Sequence, residues 1–259
     1  MKIEFPSEKD MNAFAWKRQG DPKNHGWRVR MHHRFGYFSS QKWYEAVVDR
    51  LVTDDSKWLD VGGGKTVFPY NKKLSEELAS RCDLLVGVDP SDNIHENTIV
   101  HKQVHSTIED FDSETGFDLA TLRMVAEHID SPRPAVQSLA RLIKPGGHVV
   151  IYTPNRWAPV SLAASVIPNR WHSFFTRILW NTKDEDVFPT RYKMNTRKQL
   201  RSHFLEEGFD EANFRYLSNC STFQRFRVTC FGELCAWRTL RLLGITYPEN
   251  DLLGIYERR

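Results

Sequence analysis

Residues 58–68 read WLDVGGGKTVF, and this stretch decides which fold the chain is expected to adopt. An apolar run over 57–61 leads directly into three consecutive glycines, Gly62 to Gly64. This pattern is typical of a short buried strand that ends in a tight turn, because glycine permits backbone conformations and close approaches that other residues do not. The glycines precede Lys65 and Thr66, so the turn has to be tested as a phosphate-binding loop.

Neither common phosphate-binding motif fits this turn. The ATP-binding loop GxxxxGK[ST] requires a glycine at position 59, where the chain has Leu59 inside the predicted strand. The dinucleotide motif GxGxxG requires a glycine at position 67, which is Val67. What remains is Asp60-x-Gly62-x-Gly64 at the end of a first strand. The sequence therefore predicts a ligand that approaches the backbone closely without a demand for phosphate binding.

Strands and helices alternate outward from this turn. Strands separated by helices indicate βαβ units with right-handed crossovers. We expect an α/β, Rossmann-like doubly wound sheet that is mostly parallel, with an antiparallel final strand. The predicted strands are 57–61, 84–88, 98–104, 117–122, 148–153 and 252–257, and the clearest predicted helices are 39–52, 69–82, 133–143 and 195–209.

The regions outside the alternating core predict additions to one domain. Residues 1–38 are polar, basic and aromatic, and we interpret them as an N-terminal arm or cap. Residues 39–259 form the main domain. An aromatic-rich stretch at about 156–194 interrupts the alternation and predicts an inserted helical cap, and a second helical segment is predicted at about 222–243.

Composition excludes some classes of protein. The chain has 259 residues with a net charge of +3, 40% hydrophobic and 27% charged residues, as in ordinary soluble domains. The four cysteines show no CxxC spacing, so they indicate neither a zinc site nor a disulfide framework. The longest apolar stretch, around 159–168, is shorter than the roughly 20 residues of a membrane span. We expect a cytoplasmic protein without stable membrane insertion.

Asp89 is the firmest candidate for ligand binding. It ends the apolar run over 84–88, and a carboxylate there needs a partner. Open α/β sheets bind ligands across the carboxyl ends of their strands, where an acidic residue accepts hydrogen bonds from both ribose hydroxyls. An intact ribose with no phosphate demand points to an adenosine that lacks phosphates.

At these motifs the sequence resembles the class I S-adenosylmethionine-dependent methyltransferases, in particular the small-molecule branch that includes ubiquinone-type O-methyltransferases. The resemblance covers roughly residues 40–155, and five motifs in order carry it. One position departs from the family, which usually has a glycine where Thr66 stands. The motifs are LDVGGGKT (59–66), LVGVDPS (85–91), STIEDF (106–111), FDLATLRMVAEHI (117–129) and LARLIKPGGHVVIYTPNRW (139–157).

The resemblance implies S-adenosyl-L-methionine as cofactor, with S-adenosyl-L-homocysteine as product. Asp60 could instead cap the turn and Ile108 could belong to the core, and both alternatives stay open. The implied cofactor-binding residues are Asp60, Gly62, Gly63 and Gly64 at the methionine portion, Asp89 at the ribose, Pro90, Thr107 and Ile108 around the adenine, and Arg123 and Met124 near the sulfonium.

Catalytic and substrate-binding candidates lie after the fourth strand, in the arm and in the inserted cap. His128 lies after the fourth strand and is either a general base or a residue that holds the loop. Arg191 could pair with a carboxylate or phosphate of the substrate. The catalytic candidates are His128, Arg123 and Tyr37, and the substrate-binding candidates are His33, Tyr37, Arg156, Trp171, Arg191 and Tyr192.

The sequence after the fourth strand limits which type of methyl transfer is expected. Residues 122–125 read LRMV, which differs from the (Asp/Asn)-Pro-Pro-aromatic tetrad of many adenine and glutamine methyltransferases. Arg123 stands where metal-dependent relatives place aspartates, so no catalytic metal is expected. We predict methyl transfer to a small-molecule acceptor, with oxygen preferred by family frequency alone.

Two other functions remain as alternatives. An RNA methyltransferase is disfavoured, because the basic and aromatic arm at 16–37 is explained as well by a segment that gates a small substrate. A non-catalytic partner protein of the same fold would have no need to keep Gly62, Gly64 and Asp89. The sequence names neither the acceptor nor the oligomeric state.

Overall fold

The computed structural model describes residues 3–159, 189–220 and 226–259. Within them a seven-stranded sheet has the order β3-β2-β1-β4-β5-β7-β6. Only β7 runs antiparallel to its neighbours, β5 and β6, in the described sheet. The predicted Rossmann-like α/β fold is therefore confirmed. The strands are β1 Lys57–Val61, β2 Leu84–Asp89, β3 Lys102–His105, β4 Phe117–Arg123, β5 Ile143–Pro154, β6 Phe209–Ser218 and β7 Glu249–Arg258.

Helices cover both faces of this sheet. On one face α5 and α6 pack through residues such as Leu139 and Phe204. On the other face α1, α3 and α4 pack through residues such as Met11, Tyr44 and Leu78. The described helices are α1 Glu8–Gln19, α2 Trp27–Phe35, α3 Ser40–Leu51, α4 Lys72–Arg81, α5 Pro132–Leu142, α6 Arg197–Glu206 and α7 Arg227–Leu242.

Burial explains why β1 and β2 were visible as apolar runs. Each lies between two other strands and is covered by helices on both faces, so both sets of alternating side chains are buried. The third strand is shorter than predicted, because only Lys102–His105 pairs with β2 at the edge of the sheet. The fifth strand is longer than predicted and runs over Ile143–Pro154.

Three elements were not anticipated from the sequence. The arm contains two helices, of which α1 buries only Met11, so its sequence shows no apolar face. A capping box between Ser7 and Asp10 starts α1 instead. Strand β6 is mostly half-buried and lacks clear alternation, because it forms the edge of the sheet beside β7.

The order of the strands decides where a ligand can bind. The chain leaves β1 for β2 on one side and later enters β4 on the other, so the connections diverge beside β1. At such a point a crevice opens at the carboxyl ends of the parallel strands. The glycine turn lies there. No helix in the described part of the chain is long and apolar enough to cross a bilayer.

Candidate functional site

The glycine turn after β1 adopts conformations that favour glycine. Gly62 and Gly64 have φ angles of +72° and +40°. The backbone N–H groups of Gly62 and Gly63 point at the carbonyl oxygen of Val88, at 2.8 and 3.4 Å. A Cβ added at Gly62 would lie 2.1 Å from Cγ2 of Val125. The turn therefore packs tightly between the end of β2 and the loop after β4, without room for a side chain at Gly62.

A buried asparagine on the far side also fixes the turn. Asn97 is fully buried, and its Nδ2 donates to the carbonyl oxygen of Gly63 at 3.0 Å. Lys65, the lysine that suggested a phosphate loop, forms an exposed salt bridge with Glu96 at 3.0 Å. Sequence reasoning missed Asn97, because 34 residues separate it from its partner.

Asp89 lies directly beside this turn, at the end of β2, with 8% of its surface exposed. Its Oδ2 accepts the backbone N–H of Gly64 at 2.9 Å, and its Oδ1 accepts that of Ser91 at 2.8 Å. A carboxylate offers about four acceptor positions, so roughly two remain for hydroxyl groups of a ligand. Pro90 follows at an exposed position.

The space beside Asp89 is open enough for such a ligand. A Cβ added at Gly64 would lie 3.8 Å from Oδ2 of Asp89, which is its only neighbour within 4 Å in the described part of the chain. An oriented carboxylate thus lies beside a glycine turn whose backbone a ligand can approach closely. These residues fit the ribose and the adjoining chain of an adenosine ligand.

The turn after β3, where the adenine contacts are predicted, lies beside Asp89. The backbone N–H of Ser106 donates to the carbonyl oxygen of Asp89 at 3.1 Å. The hydroxyl of Thr107 donates to Asp110 at 2.8 Å. The side chain of Ile108 is buried in the core cluster that contains α5. The contact predicted for Ile108 would therefore come from its backbone.

Asp60, at the end of β1, is 3% exposed and heads a buried chain of hydrogen bonds. The indole N–H of Trp58 donates to the Thr121 hydroxyl at 2.8 Å, and that hydroxyl donates to Oδ1 of Asp60 at 2.7 Å. Burial raises the pKa of Asp60 to about 7, although the bond from Thr121 and the charge of Arg123 oppose this shift. Asp60 is therefore close to its titration midpoint at neutral pH.

The loop after β4 carries His128. The loop begins at Met124, which has a φ of +55° and donates its N–H to the Tyr152 carbonyl at 2.7 Å. Positive φ is uncommon for residues with a side chain, and such residues cluster at functional sites. Nδ1 of His128 lies 3.2 Å from the carbonyl oxygen of Pro189, which can only accept. This contact places the proton on Nδ1 and makes Nε2 the basic nitrogen.

Glu127, which the sequence analysis did not select, lies beside this histidine and is 4% exposed. Its Oε1 lies 4.0 Å from Nε2 of His128, and its Oε2 accepts the Thr153 hydroxyl at 2.8 Å. Asn195 donates to that hydroxyl at 2.7 Å. Burial raises the pKa of Glu127, against the opposing effects of Thr153, His128 and Arg123. The signal available in the sequence was its position next to His128.

Arg156, Arg191 and Tyr192 lie around the same loop. The carbonyl oxygen of Glu127 accepts the backbone N–H groups of Arg191 and Tyr192, at 2.6 and 3.2 Å. Nη1 of Arg156 donates to the Tyr192 carbonyl at 3.4 Å. The Arg191 side chain points toward Asp130, with Nε 3.5 Å from its carboxylate. The structure thus brings three of the predicted substrate residues together.

Arg123 acts both on the predicted cofactor residues and on the loop of His128. It ends β4 opposite Tyr152 of β5, and its charge opposes the rise that burial causes in the pKa of Asp60 and of Glu127. The structure therefore places the predicted cofactor residues along the ends of β1, β2, β3 and β4, with the loop of His128 next to them.

Tyr37 and His33 lie in a different environment. Tyr37 is 2% exposed, and its hydroxyl accepts the backbone N–H of Cys220 at 2.8 Å. Its ring packs edge-on against Trp237, and burial raises its pKa well above the ordinary value. His33 is exposed on α2. Trp171 lies outside the described residues. The roles of all three in binding or catalysis stay predictions.

One group of side chains has the composition of a metal site. Atoms of Asp92, His95 and His105 that could bind a metal lie within 4.8 Å of one another, and all three residues are exposed. They lie at the β3 edge, three strands from β4, and therefore far from the loop of His128.

Comparison with known proteins places the chain in a family. Residues 31–219 match the family described as "Methyltransferase domain". The chain is 34% identical over 116 residues to the ubiquinone biosynthesis O-methyltransferase of Cronobacter sakazakii, covering 42% of this chain and 47% of that one. It is 33% identical over 139 residues to the Pectobacterium atrosepticum enzyme of that name, covering 51% and 54%. The chain spans about half the length of the curated relatives it matches.

Two solved structures support the fold. One is geranyl diphosphate C-methyltransferase from Streptomyces coelicolor A3(2), with a TM-score of 0.54, 14% identity and coverage of 94% of this chain and 84% of that one. The other is an S-adenosylmethionine-dependent methyltransferase from Mesorhizobium loti, with a TM-score of 0.54, 15% identity and coverage of 85% and 98%. At this identity the likeness concerns the fold alone.

Proposed function

Because this chain belongs to the S-adenosylmethionine-dependent methyltransferases, we propose that it transfers a methyl group to a small-molecule acceptor. We further propose that the accepting atom is oxygen, that no metal takes part, and that the protein works in the cytosol. The observation that carries the proposal is the Asp89 carboxylate, held by two backbone N–H groups beside an open glycine turn.

The donor pocket is formed by the ends of four strands. Asp89 would accept the ribose hydroxyls, and Gly62 to Gly64 would allow the methionine portion to approach the backbone. Thr107 and the backbone of Ile108 would border the adenine, with Pro90 at the rim. Asp60 would face the positively charged end of the donor, since its charged form is stabilised by a neighbouring cation.

The protein's part in the chemistry is alignment, exclusion of water and removal of a proton. When bound, the donor supplies a methyl group on a cationic sulfur that is already a good leaving group. His128 would take the proton of an acceptor hydroxyl at Nε2. The Glu127 carboxylate, 4.0 Å away, would stabilise the resulting imidazolium. Arg123, at the end of β4, would border the transfer path.

The residues around His128 support a small acceptor with a polar or acidic group. Arg156, Arg191 and Tyr192 lie on one side of this loop, and an arginine can pair with a carboxylate or phosphate. Oxygen as the accepting atom is supported by the printed names of the curated relatives, which are O-methyltransferases. A metal-free reaction is supported by Arg123, since a cation there disfavours a second cation.

Calorimetric titration with S-adenosylhomocysteine tests the donor site, with ATP and NAD as control ligands. Asp89→Ala removes the acceptor of two ribose hydroxyls, and each charge-assisted hydrogen bond is worth about 1.5–3 kcal/mol. We expect at least about 100-fold weaker binding in this variant. The exposed Asp54→Ala should bind like the wild type. Unchanged binding in Asp89→Ala, or ATP binding that survives the substitution, would contradict the proposal.

A further inference from the structure

A cavity lies beside β6, the edge strand on the opposite side of the sheet from β3. It has a volume of about 390 Å³ and lies between α1, the segment that precedes α3, the end of β6 and the end of α7. Ligand sites commonly measure about 300–1,000 Å³. Asp89 ends β2, and β6 is five strands from β2, which at about 4.8 Å per strand is roughly 24 Å. This cavity is therefore separate from the pocket at Asp89.

Six of the fifteen residues that line this cavity are aromatic. Two pairs are packed edge-on, with ring centroids 5.3 Å apart for Tyr37 and Trp237 and 6.2 Å apart for Phe38 and Trp43. Tyr37, Phe38 and Trp43 are buried, so the wall is fixed in place. Tyr216 and Tyr247 also line the cavity. Such a surface suits a flat apolar group.

Arg215 brings a positive charge into this aromatic setting. Its guanidinium carbon lies 3.9 Å from the centre of the Trp43 ring. Within residues 3–159, 189–220 and 226–259, no carboxylate forms a salt bridge with it. Burial lowers the pKa of Arg215, the charge of Glu8 opposes this shift, and the charge of Arg241 adds to it. A half-buried cation that forms no salt bridge is costly, and a bound anion would relieve that cost.

A second arginine lines the same cavity. Arg241 lies 5.4 Å from the centre of the Trp237 ring and pairs with Glu8, which also lines the cavity. Two arginines against one glutamate leave a charge of 2 − 1 = +1 among these three residues. Within the described residues Glu8 forms its salt bridge with Arg241 and none with Arg215, so one carboxylate serves two arginines.

We infer that this cavity is a second binding site, for a small molecule in which a carboxylate or phosphate is attached to an aromatic ring. The anionic group lies between Arg215 and Arg241, and the ring packs against the aromatic wall. Arginine suits both anions because its planar fork donates two parallel hydrogen bonds. Apart from Tyr37, the cavity shares no residue with the predicted donor and acceptor sites, so the inference goes beyond the proposed methyl transfer.

The test uses the full chain and three probes of similar shape, namely phenyl phosphate, benzoate and neutral benzamide. Binding is measured by calorimetry and by ligand-observed NMR. We expect at least one anionic probe to bind tenfold or more tightly than benzamide, and to lose tenfold or more in Arg215→Gln. Saturating S-adenosylhomocysteine should not displace it.

Arg197→Gln is the matched control, since Arg197 also lies over an aromatic ring, that of Phe214, but outside the cavity. It should bind the probes like the wild type. If Arg215→Gln does not fold, Arg241→Gln replaces it and should weaken binding of the anionic probe in the same way. The inference is overturned if benzamide binds as tightly as the anions or if neither anion binds. It is also overturned if S-adenosylhomocysteine displaces the probe or if the arginine variants bind it like the wild type.

Discussion

The backbone N–H of Gly64 donates to Oδ2 of Asp89 at 2.9 Å, which ties the turn after β1 to the end of β2. The carboxylate is therefore oriented before any ligand arrives. A ligand then need not order this side chain, and less binding free energy is lost to conformational entropy.

Replacing Gly62 with alanine tests the glycine turn. The φ of +72° strains any side chain, and the new Cβ would lie 2.1 Å from Cγ2 of Val125. We expect a loss of stability of about 2–4 kcal/mol, because clash and strain add. We also expect at least about tenfold weaker binding of S-adenosylhomocysteine, measured by calorimetry beside urea unfolding.

Gly244→Ala is the control for backbone strain alone. Gly244 has a φ of +68°, and its added Cβ meets nothing within 4 Å in the described structure. We expect a smaller loss of stability than in Gly62→Ala and unchanged binding of S-adenosylhomocysteine. Equal effects of the two substitutions would show that the Val125 contact is unimportant.

The buried Asp60 gives the protein a pH-dependent stability. Its pKa is raised from 3.8 to about 7 in the folded chain, so the unfolded chain binds fewer protons across that interval. The free energy of unfolding therefore falls as pH rises from about 4 to about 7. Asp60→Asn keeps an acceptor for Thr121 and removes this dependence. The variant should exceed the wild type at pH 8 by on the order of 2–4 kcal/mol.

Urea unfolding of both proteins at pH 5, 7 and 8 measures this difference. The advantage of Asp60→Asn should shrink toward pH 5, where the wild-type carboxyl is protonated. Asp54→Asn, at an exposed position, should follow the wild type. Parallel profiles for the wild type and Asp60→Asn would mean that the carboxyl titrates near its ordinary pKa.

His128→Gln separates a general base from a residue that only holds the loop. Glutamine can still donate to the Pro189 carbonyl but accepts no proton at neutral pH. We expect kcat to fall about 10²–10⁴-fold, with donor affinity within twofold of the wild type. His203→Gln on α6, outside every predicted site, should keep full turnover. A fall in donor affinity as large as the fall in kcat would assign His128 a structural role.

Tyr37→Phe distinguishes catalysis from stability at that residue. The change leaves the buried N–H of Cys220 without its partner, and an unsatisfied buried donor costs about 1–3 kcal/mol. We expect this loss in urea unfolding, with turnover of the folded fraction unchanged. Tyr70→Phe, at an exposed position, should alter neither quantity. A large loss of turnover in a stable Tyr37→Phe protein would instead support the predicted catalytic role.

The sequence predicted those parts of the site that depend on local patterns. β1 and β2 are buried on both faces, so they appear as apolar runs, and Gly64 and Asp89 follow them directly. Contacts between distant residues left no such pattern. Asn195 lies 42 residues from Thr153, and Tyr37 lies 183 residues from Cys220. Nothing local distinguishes these residues from other polar or aromatic ones.

The position of β7 has a consequence for synthesis of the protein. Strand β7 lies between β5 and β6 but follows both of them in the chain. While residues 249–258 are still inside the ribosome, β5 has one open edge and β6 has no partner strand in the described sheet. Open strand edges invite pairing with other nascent chains. Completion of the sheet therefore waits for the last of its described strands to be translated.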